Sequence, residues 1–213
     1  MVLDLLKRLE DKKISKETLI RKIKQDFKLL PEIIDAMNSK KAVVRYSCGK
    51  ILMGLSETNP DELYPYFDKF TAYLDSNYRI ITWQTMAIIA NLIKVDKKKK
   101  FDEIFEKYFG FINNEYMVTV ANVVGHSGKI AQSKPYLIPK ITQKLLSVEN
   151  IKTTAHLTKE CKLVITESAI QSFDLFFEQV KEKEKVISFV KKFSNSSRKT
   201  LKKESQDFLK KWT

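Results

Sequence analysis

Glycine, proline, cysteine and histidine are all scarce in this chain, at five, five, two and two of 213 residues. So few glycines and prolines exclude a turn-rich all-β architecture, which needs them at its hairpins and corners. The Leu, Ile, Lys, Glu and Phe that stand in their place favour helix, and the expected fold class is all-α. Cys48 and Cys161 lie far apart inside apolar helical patterns, without the CxxC or Cys/His spacing that a zinc or redox site requires. Both read as buried small residues in a reducing compartment, and neither a metal nor a cofactor is expected. Phosphate-loop, dinucleotide, zinc-protease and nucleophile-elbow motifs are missing, which argues against an enzyme and a small-molecule substrate. No apolar run approaches the roughly 18 residues of a membrane span. MVLDLLKRLEDKK threads charges through its apolar positions, unlike a signal peptide. A soluble, cytoplasmic protein is the expectation.

What the chain does have is apolar mass and unevenly placed positive charge. At 43% hydrophobic residues it can bury a substantial core. The net charge of +13 is concentrated at the ends: residues 1–50 hold 13 Lys and Arg against 7 Asp and Glu, residues 51–180 hold 15 against 15, and residues 181–213 hold 11 against 4. A neutral middle argues against a nucleic-acid groove along the centre. Basic ends also suit the solvated outer faces of a stacked array.

Helical patterns run through the whole length. VLDLLKRLE is apolar at Leu3, Leu6 and Leu9, and a second helix follows the N-cap Ser15 through Leu19, Ile23 and Phe27. Pro31 breaks the chain near Leu29, after which Ile33, Ile34 and Met37 continue an apolar face. In KKAVVRYSCGKILMGLSE one stripe carries Val44, Cys48, Ile51, Leu52 and Leu55. TNPDE marks a turn, and LYPYFDKFTAYLD reads as one helix with Leu63, Phe67, Phe70 and Leu74 inward. A shift of 37 residues places Val43, Val44, Tyr46, Ile51, Leu52 and Leu55 over Ile80, Ile81, Trp83, Ile88, Ile89 and Leu92, and a shift of 38 places Leu63, Phe67, Phe70 and Leu74 over Phe101, Phe105, Tyr108 and Ile112. YMVTVANVVGHSGKIAQ and YLIPKITQKLLSV form a third copy. After Val148 the period slips: ENIKTTAHLTKE is inserted before a long helix, ECKLVITESAIQSFDLFFEQV, with Leu163, Val164, Ser168, Ile170, Phe173 and Phe177 on its apolar side. Residues 183–194 and 197–212 make a last pair.

Self-similarity sustained over two helices is the mark of a stacked helical repeat. The unit of about 37 residues, with a turn holding Asn or Asp, a following helix of V-x-x-x-A/C-x-x-x-L character and small residues at Cys48 and Ala121, resembles a HEAT repeat of the HEAT/armadillo class over residues 17–180. It is shorter than the roughly 40 to 47 residues typical there. The resemblance implies a right-handed α-α superhelix of about five helix pairs. It reads as one domain over 1–213: an N-terminal cap (1–38), regular repeats (39–150), and irregular repeats with a cap (151–213). It transfers no catalytic residue.

In such a solenoid the second helix of each repeat lines the concave surface. Those helices carry Arg45, Thr82, Trp83, Gln84, Asn122, His126 and Lys129. Of these, Arg45, Trp83, Asn122, His126 and Lys129 are the partner-binding candidates; Asn122 and His126, four apart, share a face. Gly125 and Gly128 flank His126, and close packing against a neighbouring helix would account for them. Lys97, Lys98, Lys99 and Lys100 are either phosphate contacts or a solvated turn. The expected function is a non-enzymatic scaffold or adaptor with a protein partner on the concave face. The alternatives are sequence-independent nucleic-acid binding through the basic ends, and the activity of the HEAT-like alkylpurine DNA glycosylases, which pair groove tryptophans with an aspartate. The helices of Trp83 and His126 hold no carboxylate, leaving Glu160, Glu167 and Asp174 for that role.

Overall fold

The computed structural model describes residues 2–213, with side chains from Asp4 onward; the expected inward position of Leu3 lies outside the described residues. These residues form thirteen helices joined by short 3-10 turns, with one isolated antiparallel bridge between Thr154 and Leu157. The chain divides into two compact units, Met1–Phe101 and Asp102–Thr213.

The first unit contains α1 (Val2–Glu10), α2 (Lys16–Gln25), α3 (Leu30–Asp35), α4 (Ala42–Thr58), α5 (Pro60–Leu63), α6 (Phe67–Tyr73) and α7 (Arg79–Leu92). Ser15 caps α2 by accepting the Thr18 amide at 3.1 Å. That helix stops at Gln25 instead of running through Phe27, because Asp26 turns extended and its carboxylate accepts the Lys28 amide at 3.1 Å. On α4 all five stripe residues, Val44, Cys48, Ile51, Leu52 and Leu55, are buried against α7 and the N-terminal helices. LYPYFDKFTAYLD is not one helix. Pro65 supplies no amide hydrogen, and a 3-10 turn, Tyr64–Tyr66, separates α5 from α6, although Leu63, Phe67, Phe70 and Leu74 are still buried.

α8 (Lys100–Gly110) opens at the boundary, and the second unit continues with α9 (Met117–Ser133), α10 (Ile138–Leu146), α11 (Lys159–Asp174), α12 (Lys183–Lys191) and α13 (Lys199–Trp212). Here α11 lies between α9 and α13. Packing on two sides widens its buried sector: Ile165, Ala169, Ile170 and Phe173 are buried, whereas Leu163, Val164 and Ser168 of the expected stripe are only half-buried. The inserted loop is anchored to the start of α9. Leu157 is fully buried, Thr154 Oγ1 donates to the Glu115 carbonyl at 2.9 Å, and the His156 ring stacks on Tyr116 with centroids 4.6 Å apart. Phe177 meets Phe208 and Trp212 at 5.0 and 5.1 Å, docking α13 through aromatic contacts. No helix among the described residues is long and apolar enough to cross a membrane.

Candidate functional site

Neighbours on a helix point about 100° apart, so at the edge of the buried sector one of two adjacent apolar residues faces the core while the other is left outside it. Val44 and Ile81 are the buried members of such pairs; Val43 and Ile80 are 48% and 39% exposed. These two residues occupy equivalent repeat positions, and one turn on stand Tyr46 and Trp83, both half-buried. The helices that carry them interlock. Gln84 lies over Gly49, where any Cβ would overlap its side-chain amide, and donates to the Tyr46 carbonyl at 3.1 Å. Asn91 Nδ2 donates to Ser56 Oγ at 2.9 Å, and Lys94 Nζ to the Glu57 carbonyl at 2.7 Å. The α4–α7 pair thus presents Val43, Tyr46 and Lys50 from one helix and Ile80 and Trp83 from the other on a rigid support.

Arg45 does not extend into solvent as the sequence reading expects. It is 4% exposed. One guanidinium nitrogen donates to the carbonyls of Ser39 and Lys40 at 2.5 and 3.3 Å, the other to the Tyr46 hydroxyl at 3.3 Å. Its central carbon lies 3.5 Å from the centroid of the Tyr78 ring and 4.7 Å from that of Tyr46. The planar donor fork satisfies backbone carbonyls while the rings shield its faces. No carboxylate among the described residues pairs with it. Thr82 is also buried.

In the second unit, Asn122 donates to the Val118 carbonyl of its own helix at 2.8 Å and makes no hydrogen bond to His126. His126 is half-buried. Burial, with a smaller contribution from Lys129, pushes its pKa down to about 4, so the ring is neutral at pH 7. Lys129 is exposed. The two glycines differ. A Cβ on Gly128 would come within 2.6 Å of Leu175 Cδ1 and 2.9 Å of the Ser172 carbonyl, the close helix packing that its position suggested, whereas one on Gly125 would meet open space.

The lysine run is organised by the aspartate inside it. Asp96 accepts the Lys100 and Phe101 amides at 2.9 and 3.1 Å, opening α8, and takes the Tyr64 hydroxyl at 2.5 Å. Lys97, Lys98 and Lys99 are exposed, with Lys99 at a left-handed φ of 56°. Lys100 differs from them: it pairs with Asp68 at 2.7 Å. The three late carboxylates are engaged by Arg198, the residue before α13, and by the last turn of α13. Arg198 holds Glu167 and Glu160 at 2.9 and 2.8 Å, and Asp174 accepts from Lys211 and Trp212 at 2.9 and 2.6 Å. Cys48 is buried, its thiol pushed up to about 12, while Cys161 is half-buried rather than enclosed. No group of three or more His, Cys, Asp or Glu that could hold a metal occurs among the described residues.

Val43, Tyr46, Tyr78 and Ile80 were missed as site candidates by reasoning from polar residues alone. The signal was present in the paired VV and II at the start of the two repeat helices.

No family model matches the chain, and no curated protein matches it. Solved structures do. A designed armadillo repeat protein is similar at TM-score 0.62 and 15% identity, over 96% of this chain and 90% of that one. A second, in complex with the peptide (KR)4, is similar at TM-score 0.66 and 13% identity, over 99% and 92%. An engineered protein is similar at TM-score 0.59 and 12% identity, over 98% and 87%. Below 25% identity such likeness concerns the fold alone, and the chain has a HEAT/armadillo-type helical-repeat fold.

Proposed function

We propose that residues 1–213 act as one non-enzymatic repeat domain, a scaffold or adaptor that takes a protein partner on the concave face of the array. The observation that carries this reading is the repeat-equivalent exposure of Val43 and Ile80 beside Tyr46 and Trp83 on the α4–α7 pair. Exposed aliphatic residues next to half-buried aromatics are the surface from which binding anchors are built. The peptide held by one designed protein of this fold supports a peptide or protein as the partner class. Base excision finds no support, because Glu160, Glu167 and Asp174 are occupied by Arg198, Lys211 and Trp212. Selection of short random peptides from a display library on the whole chain tests the reading. Peptides that bind and lose about tenfold in affinity on Ile80→Glu support it. A library returning no such peptide, or turnover of a substrate abolished by changing Trp83, overturns it.

Sequence-independent nucleic-acid binding has an observation of its own. Lys199, Lys202, Lys203 and Lys210 are exposed on α13, and of these only Lys203 pairs with a carboxylate, Asp207 at 3.8 Å. Without interleaved aromatics such lysines suit a phosphate backbone more than stacked bases. Gel shifts with duplex DNA and RNA at low salt test this: absence of binding removes it, and binding that weakens steeply with salt and with charge reversal of these lysines supports it.

A further inference from the structure

We infer that the α4–α7 face selects an acidic, apolar peptide segment. This rests on the binding reading above and adds the chemistry of the partner. The first observation is the charge on the two helices. From Ala42 to Ser56 on α4, and from Arg79 to Val95 on and just after α7, there is no carboxylate, while Lys50, Arg79 and Lys94 are exposed cations. Glu57, in the last turn of α4, is the first acid reached on either helix. Glu17 of α2 lies within electrostatic reach of Lys50, but neither helix of the pair offers a basic partner a carboxylate along this stretch, and an acidic partner would find complementary charge.

Arg45 is a buried cation with no carboxylate partner among the described residues, and its Nε has no hydrogen-bond acceptor. Backbone carbonyls and two tyrosine faces hold the charge without neutralising it. Asp35 and Asp75 line a cavity of about 390 Å³ together with Tyr78, Asp35 is bound by Lys69 at 2.7 Å, and the hydrogen bonds of Arg45 go to two backbone carbonyls and the Tyr46 hydroxyl. In a medium of low dielectric constant an unneutralised cation acts on nearby charge far more strongly than one in water.

The rings that cover Arg45 are also part of the exposed surface: Tyr78 is 36% exposed and Tyr46 is half-buried. The Tyr46 hydroxyl accepts from Arg45, which leaves its own hydrogen free to donate. An acceptor on a bound peptide can take that hydrogen, and a carboxylate takes it more strongly than an amide. Val43 and Ile80, on adjacent helices, supply apolar contact for the peptide's aliphatic or aromatic side chains. Apolar anchors beside a buried, uncompensated cation describe a partner that carries Asp or Glu between apolar residues.

The library selection described above, read for composition, tests the class. Ile80-dependent peptides are expected to be rich in Asp and Glu and to lose about tenfold on Lys50→Glu. Tyr46→Phe keeps the ring over Arg45 and removes only the hydroxyl, so it should weaken the selected peptides but not their Asp→Asn and Glu→Gln counterparts. Ile80-dependent peptides that are neutral or rich in Lys and Arg overturn the acidic class and leave the binding reading standing. Equal effects of Tyr46→Phe on acidic and amide peptides also overturn it. Failure to obtain any Ile80-dependent peptide overturns both.

Discussion

Ser172 on α11 donates its hydroxyl to the Val124 carbonyl on α9 at 2.7 Å, one turn before Gly128, whose missing side chain lets the two helices approach. Overpacking follows if that space is filled. Gly128→Ala should destabilise the chain by about 1–3 kcal/mol. Gly125→Ala, at an open helical position, should stabilise it by up to about 1 kcal/mol. Urea unfolding of the two variants measures the contrast; equal changes in midpoint would contradict it.

Asp96 holds the start of α8 through two backbone amides and the Tyr64 hydroxyl. Burial and then that hydrogen bond push the Tyr64 phenol up to about 12, so it remains a donor even where an exposed tyrosine begins to ionise. Asp96→Ala should cost about 1–2 kcal/mol, the scale of a lost helix cap. Thermal unfolding measures the loss, and hydrogen exchange at the Lys100 and Phe101 amides should accelerate. Unchanged exchange there would show that the cap contributes nothing.

His126 titrates below the usual histidine range, near 4 against 6.5. Between those values the unfolded chain binds the proton and the folded chain does not, so protonation favours unfolding. Its contribution is complete above pH 6.5 and is lost as pH falls from 6.5 through 4. His126→Gln should flatten the stability profile in that window. An NMR titration placing the His126 midpoint at or above 6.5 would contradict this.

Asp174 joins α11 to the C-terminal helix by accepting from Trp212 and Lys211. Asp174→Ala leaves the indole N–H without that acceptor and should cost about 1–3 kcal/mol. Trp212 emission should shift to the red as α13 loosens, with faster proteolysis near the C-terminus. A variant with unchanged emission and cleavage would place the docking in the Phe177–Phe208 contact alone.

The lysine stripe of α13 and the run at Lys97–Lys99 are distinguishable in a single titration of duplex DNA. Charge reversal at Lys199, Lys202 and Lys210 should abolish any salt-sensitive binding, and reversal at Lys97 and Lys98 should change it little, since those side chains project from a tight turn capped by Asp96. The reverse order would move the anion contact to the turn.

Helix content, the repeat and most of the core were legible in the chain itself. Each depends on local spacing: Val44, Cys48, Ile51, Leu52 and Leu55 recur at helical intervals, and burying that stripe against any partner gives the same result. Turn chemistry set the remaining local detail, as where Pro65 and Asp26 end helices that apolar pattern alone would prolong. The functional face was not legible from polar residues, because whether a side chain is free depends on what lies across from it. Tertiary structure decided that Arg45 is buried under Tyr46 and Tyr78, that Glu160 and Glu167 belong to Arg198 and Asp174 to the end of α13, that Lys100 belongs to Asp68, and that Val43 and Ile80 are left exposed. Periodicity states which residues share a helix face, and only the packing of one helix on another states which of those faces remains open.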